Sequence, residues 1–533
     1  YIDPTCANNG DGTAGTPCAA SGGAAGPKNT WVGLTWTAGN IYAGQGGTSE
    51  TLSSYLVAGS GSAGNPITIT SYGTGQFKFR ATASYATAIV SRTYITWDNV
   101  EFESTSTNCL YLTGVSNNII VQNNTFTTCG AGASGIVLET QSATANFDNI
   151  TIDGNDFTDL TGAAVRTQFI STNNLQHDSW TIADNTMVNV NNGANNVGAI
   201  YFSMDATTTA YMTNLVITGN TITSVNDEEA SPNHAIRLVR SVVGSAHEDR
   251  YLGVTIANNT ITSGGGGISL AHIGPYLGSR SLVYGNTITN VKATAGIIAF
   301  YSNDIEIYNN TITNVQTYAA ISNIDGIGID LDLGNTRIYV YRNEVTGCLG
   351  NASVENSGQG ITIFGSSTNY VYGNKLIGNN HGFVFGDDNA GVAGVPNYIE
   401  NNTIDGNTLD GIQTVFTVEQ VNVIRNNIIA NNGRYGISSL GSGTQTLATN
   451  ILYNNTSGNY NSQTAGGTDI LDNPDYLSTS DYRLQGVSPG VYTGTVGAAC
   501  IDFRGRTCYP TNPNIGAYQS TSGDPAATRA VRN

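Results

Sequence analysis

The sequence is poor in charged residues, and basic ones are especially scarce. Charged residues make up 11% of the 533, against roughly 25% in an average soluble protein. Only four are lysines, and 20 Lys+Arg stand against 38 Asp+Glu, giving a formal net charge of -18. Because phosphate neutralisation requires basic side chains, this composition argues against a nucleic-acid partner. The chain also lacks any apolar run of about 18 residues, so we expect no membrane span.

Helical periodicity is missing as well. No segment sustains an apolar period of 3.6 residues, so helices are expected to be minor. The chain is nevertheless not a disordered acidic polymer, because 39% of its residues are hydrophobic and can form a core. Glycine is abundant, with 65 residues, which is typical of a chain with many turns.

The seven cysteines fall mostly in local pairs. The expected disulfides are Cys6–Cys18, Cys109–Cys129 and Cys500–Cys508. Short disulfide-closed loops near both ends are typical of a secreted protein, and no signal-like leader precedes Tyr1, so we expect a processed extracellular or cell-surface chain. Cys348 is left over and is interpreted as a buried free thiol.

One repeat dominates from about residue 105 to 455. It consists of an alternating apolar segment, an asparagine, a short second strand, and a glycine that begins another alternating segment. The marker asparagines are Asn124, Asn155, Asn185, Asn220, Asn259, Asn286, Asn310, Asn343, Asn374, Asn402, Asn427 and Asn450. Their intervals run from 23 to 39 residues. A unit of this size cannot bury its own apolar face, so the units must stack into a solenoid.

The marker asparagine is expected to occupy a turn. Asparagine tolerates the left-handed conformation that most residues avoid, and stacked coils about 4.8 Å apart would let successive amides bond into a ladder. Some neighbouring asparagines also match the N-glycosylation pattern; the candidates are Asn123, Asn258 and Asn309. The turn chemistry alone explains the Asn-Asn-Thr pattern.

The repeat and three further segments resemble the right-handed parallel β-helix superfamily of pectate-lyase-like secreted proteins. These segments are Tyr1-Ile2-Asp3-Pro4 with Gly10-Asp11-Gly12-Thr13, Ala63-Gly64-Asn65-Pro66-Ile67-Thr68, and Asp502-Phe503-Arg504-Gly505 with Asn514-Ile515-Gly516-Ala517-Tyr518. The resemblance implies an all-β, single-domain parallel β-helix of twelve or more coils with disulfide-pinned ends. The expected boundaries are a cap and first coils over 1–104, regular coils over 105–460, and closing coils and tail over 461–533.

In the enzymes of this superfamily, the glycine-initiated strands and their loops line the substrate groove. Alternation places every second residue of those strands outside. One outward column is predicted to read Val137, Ala164, Tyr201, Arg237, Ser269, Ile298, Gly328 and Thr362. The next is predicted to read Glu139, Arg166, Ser203, Val239, Ala271, Phe300, Asp330 and Phe364.

The coils with the longest intervals surround Arg237, so a groove over residues 135–332 is the predicted site. The candidate catalytic residues, chosen as acids, bases or cations for cleaving a glycan, are Arg237, Arg240, Arg166, His272, Asp330 and Asp332. The candidate substrate-binding residues are Tyr201, Asp205, Glu139 and His247. Calcium is the candidate cofactor, with the hard oxygen ligands Asp227, Glu228 and Glu229.

Three functions remain open at this point. The first is a lyase or glycosidase that acts on, or a protein that binds, extracellular polysaccharide. The second is a non-catalytic structural or adhesive protein that assembles end to end into a filament or surface layer, because uncapped coils expose unpaired strand edges. The third is a phage-tailspike-like protein. The expected partners are therefore a polysaccharide or further copies of this chain.

Overall fold

The structure is a computed structural model, which describes residues 1–53, 56–82, 88–140, 146–169, 175–191, 197–204, 209–225, 233–240, 249–292, 295–317, 326–350, 357–386, 395–415, 422–440, 445–497, 501–508 and 511–519. Its contacts form two compact units. Unit 1 comprises residues 1–245 and 250–260, and unit 2 comprises residues 246–249 and 261–533.

Each unit is built from parallel strands in three sheets, here called A, B and C in the order that the chain meets them within a coil. No helix occurs among the described residues, which also means that none of them forms a helix able to cross a membrane. The predicted all-β parallel β-helix is therefore confirmed.

The strands of unit 1 are short and regularly spaced. Sheet A contains Ile41–Gln45, Ile67–Tyr72, Ile95–Asp98, Ile119–Gln122, Asp148–Asp153, Gln176–Ala183, Tyr211–Thr218, Tyr251–Leu252 and Thr255–Ala257. Sheet B contains Ser49–Leu52, Phe77–Ala81, Val100–Ser104, Thr125–Thr127, Asp156–Leu160, Thr186–Val190 and Thr221–Val225. Sheet C contains Ala88–Val90, Leu110–Thr113, Ile136–Thr140, Val165–Phe169, Gly198–Met204 and His234–Arg240.

Unit 2 repeats the arrangement and adds an antiparallel hairpin, Tyr476–Ser478 with Asp481–Leu484. Sheet A contains Ile273–Gly274, Ser281–Tyr284, Ile305–Tyr308, Tyr339–Tyr341, Tyr370–Tyr372, Tyr398–Glu400, Val423–Arg425 and Thr446–Ala448. Sheet B contains Thr260–Gly264, Thr287–Val291, Thr311–Thr313, Glu344–Thr346, Lys375–Ile377, Thr403–Asp405, Ile428–Ala430 and Ile451–Tyr453. Sheet C contains Gly266–Ala271, Ala295–Phe300, Ile327–Asp332, Gln359–Phe364, His381–Gly386, Ile412–Val415, Tyr435–Ser439 and Gly458–Asn461.

Identical side chains from successive coils stack on one another in the core. In sheet B of unit 1, Phe102, Phe126 and Phe157 pair in register on successive strands. Their ring centroids are 4.8 and 4.6 Å apart and their planes are nearly parallel. Aromatic stacking of this kind adds to the stabilisation that comes from buried apolar area. Strand alternation decides that these rings face the core.

Within each unit, consecutive marker asparagines are joined in a ladder. In each, the backbone N–H and Nδ2 of one asparagine donate to Oδ1 of the next, with Nδ2–Oδ1 distances of 2.9–3.1 Å. The prediction that the marker itself is left-handed was wrong, because the residue immediately before it takes that conformation. Asn123, Asn258 and Asn309 have φ of 54–55° and are exposed, and the following asparagine is buried with a satisfied amide.

Two shorter asparagine ladders in unit 2 were not predicted. One joins Asn379, Asn407, Asn432 and Asn455, and the other joins Asn369, Asn397 and Asn422. Their signal in the sequence was a second and third asparagine recurring every 23–28 residues. The backbone N–H of Cys348 donates to Oδ1 of Asn379 at 3.0 Å, so the buried, free Cys348 occupies the end of the first ladder.

The described disulfides are those predicted from the spacing, Cys6–Cys18 and Cys109–Cys129. Cys508 is also disulfide-bonded, whereas Cys500 lies outside the described residues. The closing segment that contains Cys508 packs against sheet B of unit 2. Asn401 donates its Nδ2 to the carbonyl of Asn514 at 2.9 Å, and the N–H of Ala517 donates to Oγ1 of Thr403 at 3.1 Å.

Candidate functional site

Two arginines and a tyrosine lie side by side on the outer face of sheet C in unit 1. Arg166 pairs with Tyr201, and Tyr201 pairs with Arg237, on three consecutive strands. The predicted columns were wrong here by two residues, since Arg166 and not Ala164 lies beside Tyr201. A shift of two preserves the outward face, because strand side chains alternate with period two, but it changes the neighbours. We call Arg166, Tyr201 and Arg237 the Arg–Tyr–Arg row.

The side chains of this row are partly exposed. Cζ of Arg237 lies 6.0 Å from the centroid of the Tyr201 ring, the outer limit of a cation–π contact. Burial lowers the pKa of Arg237 from its ordinary value, and the charge interaction with Tyr201 opposes that change. A surface pocket of about 340 Å³ opens beside the row, with Arg166, Ser134 and Val197 among its lining residues. The row can therefore place cationic groups and a phenol against a ligand.

Glu139 lies near the row but one column further along the strands. It pairs with Gln168, the residue two positions after Arg166. Its Oε2 accepts a hydrogen bond of 2.7 Å from the hydroxyl of Tyr111. Glu139 is the one carboxylate on the described strands of sheet C in unit 1.

Arg240 does not join the row. Within its strand, Ile236, Leu238 and Arg240 share the parity of the core, and Arg240 pairs with the buried Met204. Arg237 has the opposite parity, so the two arginines point to different faces of the sheet. The structure therefore places on opposite faces two arginines that were predicted to belong to one catalytic site.

The remaining catalytic candidates belong to unit 2, and His272 is not on the sheet face. It follows its strand with a φ of 59°, is 1% exposed, and stacks on Tyr301 with ring centroids 5.7 Å apart. A buried histidine in a left-handed turn position is a stacking element of the coil. A proton-transfer role for His272 stays a prediction.

Asp330 and Asp332 share the outer face of sheet C in unit 2, as predicted. Asp330 pairs with Ile298 and Thr362, however, and not with Phe300 and Phe364 as the predicted column had it. The column that contains Asp330 is buried along its length: its members are Ser269, Ile298, Asp330, Thr362, Val384, Gln413 and Ser438, all at most 5% exposed. In unit 1, by contrast, the equivalent column keeps the Arg–Tyr–Arg row accessible.

Several candidates lie outside the described residues: Asp205, Asp227, Glu228, Glu229 and His247. The calcium site therefore stays a prediction. Among the described residues, one group of possible metal ligands comes together, comprising Asp3, Cys6 and Cys18. Its two sulfurs are joined in a disulfide, so they offer no thiolate ligand.

Comparison with known families agrees with the sheets and ladders. Residues 198–395 match the family described as "Right handed beta helix region". The chain is a right-handed parallel β-helix protein. Residues 317–474 of the β-helix also match the family described as "Periplasmic copper-binding protein (NosD)".

The β-helix is similar to several solved structures. A variant of the periplasmic alginate epimerase AlgG is 13% identical, with 73% of this chain and 77% of that chain covered and a TM-score of 0.36. The A-module of the mannuronan C-5 epimerase AlgE4 from Azotobacter vinelandii is 13% identical, with 82% and 91% covered and a TM-score of 0.34. Pectate lyase Pel9A is 11% identical, with 98% and 96% covered and a TM-score of 0.23. No curated protein sequence matches the chain.

A second set of aromatic residues on the β-helix was not placed by the sequence analysis. Tyr339, Tyr370 and Tyr398 pair in register on the outer face of sheet A in unit 2. The signal was the recurrence of Tyr-Val-Tyr at 339–341 and 370–372. These tyrosines lie on sheet A, whereas the predicted groove comprised only the glycine-initiated strands of sheet C, so the set was not predicted.

Proposed function

We propose that this protein binds a carboxylate-bearing polysaccharide across the outer face of sheet C in unit 1 and cleaves it by β-elimination. The observation that carries the proposal is the Arg–Tyr–Arg row, in which Tyr201 pairs directly with both Arg166 and Arg237. Three consecutive strands hold these side chains, and strands position groups more rigidly than loops do.

The row offers the two functions that β-elimination requires. A guanidinium that forms paired hydrogen bonds with the carboxylate of a uronate withdraws charge and stabilises the negative charge that develops when the adjacent C5–H bond breaks. The phenol of Tyr201, in its ionised form, is the group proposed to take that proton. The C4–O bond then breaks with its electron pair, a C4=C5 double bond forms, and the leaving oxygen receives from Tyr201 the proton that came from C5, which regenerates the base.

Hydrolysis is less well supported on this face. Glycoside hydrolysis uses two carboxyl groups flanking the scissile bond. Glu139 is the single carboxylate on the described strands of sheet C in this unit, and it already accepts a hydrogen bond from Tyr111. An elimination, which does not need a carboxylate pair, makes better use of the side chains present.

The charge of the chain favours a sparsely charged substrate. A net charge of -18 repels a polymer that carries a carboxylate on every sugar. Two arginines in the row can still engage an isolated uronate. We therefore infer a glycan in which uronates are separated by neutral sugars. The disulfides Cys6–Cys18 and Cys109–Cys129 support a location outside the cytoplasm, where such glycans occur.

The test is to incubate the full chain with deacylated gellan, polygalacturonate and alginate and to follow the ultraviolet absorbance of unsaturated ends together with reducing ends. We expect unsaturated products from gellan, in which each glucuronate carries a neutral sugar on its O4 as the leaving group. Arg237→Ala and Arg166→Ala should each reduce the rate about 100-fold or more, because each removes a charge that stabilises the transition state. Tyr201→Phe should reduce it further by removing the base.

Arg80→Ala is the matched control. Arg80 also lies on a strand of unit 1, but on sheet B, where its side chain is 44% exposed and pairs with Glu103. The Arg80→Ala variant should cleave the glycan at the same rate as the unchanged chain. If reducing ends form without unsaturated ends, the reaction is hydrolysis and the proposed elimination is wrong. No cleavage of any carboxylated glycan, together with filaments in electron micrographs, would overturn the proposal in favour of a structural or adhesive protein.

A further inference from the structure

The outer face of sheet A in unit 2 carries a ladder of tyrosines. Tyr339, Tyr370 and Tyr398, here called the tyrosine ladder, lie on three consecutive strands. Their ring centroids are 4.8 and 5.0 Å apart, with interplanar angles of 10° and 3°. The rings cover each other's faces, so their edges and hydroxyls point away from the sheet at intervals of one coil.

The hydroxyls of this ladder have no protein partner among the described residues. The three side chains are half-buried, so water can reach their hydroxyls. Tyr341, one column away, behaves differently, since its hydroxyl donates to Oε2 of Glu306 at 2.7 Å. The phenol groups of Tyr339, Tyr370 and Tyr398 are thus solvated donors and acceptors held at a fixed repeat. A polymer with a hydroxyl-rich unit at each repeat is the ligand that such a row can satisfy best.

The ladder begins at a surface pocket of about 650 Å³. Arg280 lines this pocket and lies over the Tyr339 ring, with Cζ 3.8 Å from the ring centroid. Leu282, Asp304 and Glu306 also line it. The pocket therefore combines the apolar Leu282 side chain with a small number of fixed polar groups, a combination that orients ligands in protein pockets.

The charges in the pocket are paired. Arg280 donates to Glu306 at 2.8 Å, and Arg337 donates from Nε and Nη2 to Asp304 at 2.6–3.1 Å. Each carboxylate in the lining thus has an arginine partner. Because no unbalanced charge is left to attract an ion, the ligand should be uncharged.

A short turn adds an exposed apolar group beside the pocket. Tyr276 and Ser279 exchange backbone hydrogen bonds of 2.9 Å, and Leu277 between them is 88% exposed. Gly278 of the same turn lines the pocket.

We propose that the tyrosine ladder and the Arg280 pocket form a second glycan-binding site, for an extended neutral glycan that runs along the coils. Each coil presents one phenol hydroxyl to the chain, and the Arg280 pocket receives one of its sugars. The site holds the polymer and does not cleave it. It is separate from the Arg–Tyr–Arg row, which belongs to unit 1, and its existence does not depend on the function proposed for that row.

The test uses a triple variant, Tyr339→Phe with Tyr370→Phe and Tyr398→Phe, in the full chain. These changes keep the stacked rings and remove only the three hydroxyls, so folding should be preserved, and thermal unfolding checks this. Binding of cellohexaose and xylohexaose is measured by calorimetry. We expect at least one of the two to bind the unchanged chain, and the triple variant to bind it at least tenfold more weakly.

Two controls make the result specific. Tyr482→Phe removes a phenol hydroxyl from the hairpin of unit 2, away from the ladder, and should not change the affinity. Arg237→Ala should reduce cleavage about 100-fold or more without changing this binding, so that failure of either proposal is visible separately. Failure of both hexaoses to bind, or equal affinity of the triple variant and the unchanged chain, would overturn the second site. Tighter binding of polygalacturonate than of the hexaoses at this site would overturn its neutral specificity.

Discussion

Asn374 and Asn402 are joined by two hydrogen bonds to one oxygen. The backbone N–H of Asn374 donates to Oδ1 of Asn402 at 3.0 Å, and Nδ2 of Asn374 donates to the same atom at 2.9 Å. Nδ2 also donates to the carbonyl of Val340 in the preceding coil at 2.9 Å. One amide thereby links three successive coils, which explains why the marker residue is asparagine at nearly every turn.

Removing one amide from the middle of the ladder should therefore be costly. Asn374→Ala leaves the N–H and Nδ2 of Asn343 without their acceptor and deprives the carbonyl of Val340 of its donor. Each of these three buried groups left unpaired costs about 1–3 kcal/mol, so we expect a loss of about 3 kcal/mol or more in the free energy of unfolding. Chemical denaturation followed by circular dichroism measures it.

The matched control is Asn309→Gly. Asn309 precedes a ladder residue, is exposed and has a φ of 54°, a conformation that glycine adopts without strain. We expect a change of less than about 1 kcal/mol. A loss at Asn309 as large as that at Asn374 would show that the turn, and not the ladder, holds the coils together.

His177 should make unit 1 sensitive to acid. Its Nδ1 accepts the N–H of Phe147 at 3.1 Å, its ring stacks on Phe169 at 4.2 Å, and burial lowers its pKa from 6.5 to about 3. Below pH 6.5 the unfolded chain takes up a proton that the folded chain does not. Stability is therefore lost as the pH falls from 6.5 towards 3, by about 1.4 kcal/mol per pH unit.

The check is His177→Phe, which keeps the aromatic stack and removes the titrating group. The stability of the variant should fall less steeply between pH 6.5 and pH 4 than that of the unchanged chain, even if its stability at pH 7.5 is lower. Parallel profiles of unfolding free energy against pH for the two proteins would contradict the assignment.

Asp405 should have the opposite pH dependence. Burial raises its pKa to about 6 against an ordinary 3.8, although Tyr476 donates to its Oδ2 at 3.0 Å and Asn431 donates to both carboxylate oxygens. The folded chain thus holds a proton that the unfolded chain releases, so this contribution is present below pH 3.8 and is lost as the pH rises to 6.

Asp405→Asn should remove this penalty while keeping an acceptor for Tyr476. We expect the variant to be about 1–3 kcal/mol more stable than the unchanged chain at pH 7, with the difference shrinking at pH 4. Thermal unfolding at the two pH values measures this. A variant that is less stable at pH 7 would mean that the carboxylate is ionised and favourably bonded there.

Cys348 should be inert in the folded chain. It is fully buried, and burial raises the pKa of its thiol to about 12. Because the thiolate is the reactive form, iodoacetamide at pH 8 should label Cys348 only after denaturation. Peptide mass spectrometry without reducing agent follows the label. Rapid labelling of the native chain would show that the end of this asparagine ladder opens.

Much of the fold could be predicted because the repeat encodes it locally. Alternation decides which side of a strand is buried, and it correctly placed Glu139 on the outward side of its strand. Local disulfides such as Cys6–Cys18 follow from spacing. The position of the left-handed residue was misassigned, because Asn-Asn pairs contain two candidates and only the backbone angles distinguish them.

The site was harder to predict, because neighbours across coils are set by pairing and not by sequence distance. The sequence allows either Ala164 or Arg166 to lie beside Tyr201, because both residues are on the same face of their strand. The pairing in the structure selects Arg166. Arg240 was grouped with Arg237 by proximity in the chain, yet a strand turns residues three apart to opposite faces. Loops of unequal length separate the strands of successive coils, so residue numbers alone do not determine which residues pair across coils.

By itself the sequence determined that the chain would stack short β coils, because a repeat of about 30 residues with one buried asparagine is stable only against its own neighbours. Only the tertiary structure decided which outward side chains would meet. It aligned Arg166 with Tyr201 and Arg237, and it stacked Tyr339 on Tyr370. The physical reason is that backbone hydrogen bonds between coils fix the register of the strands. That register then determines which outer side chains are neighbours.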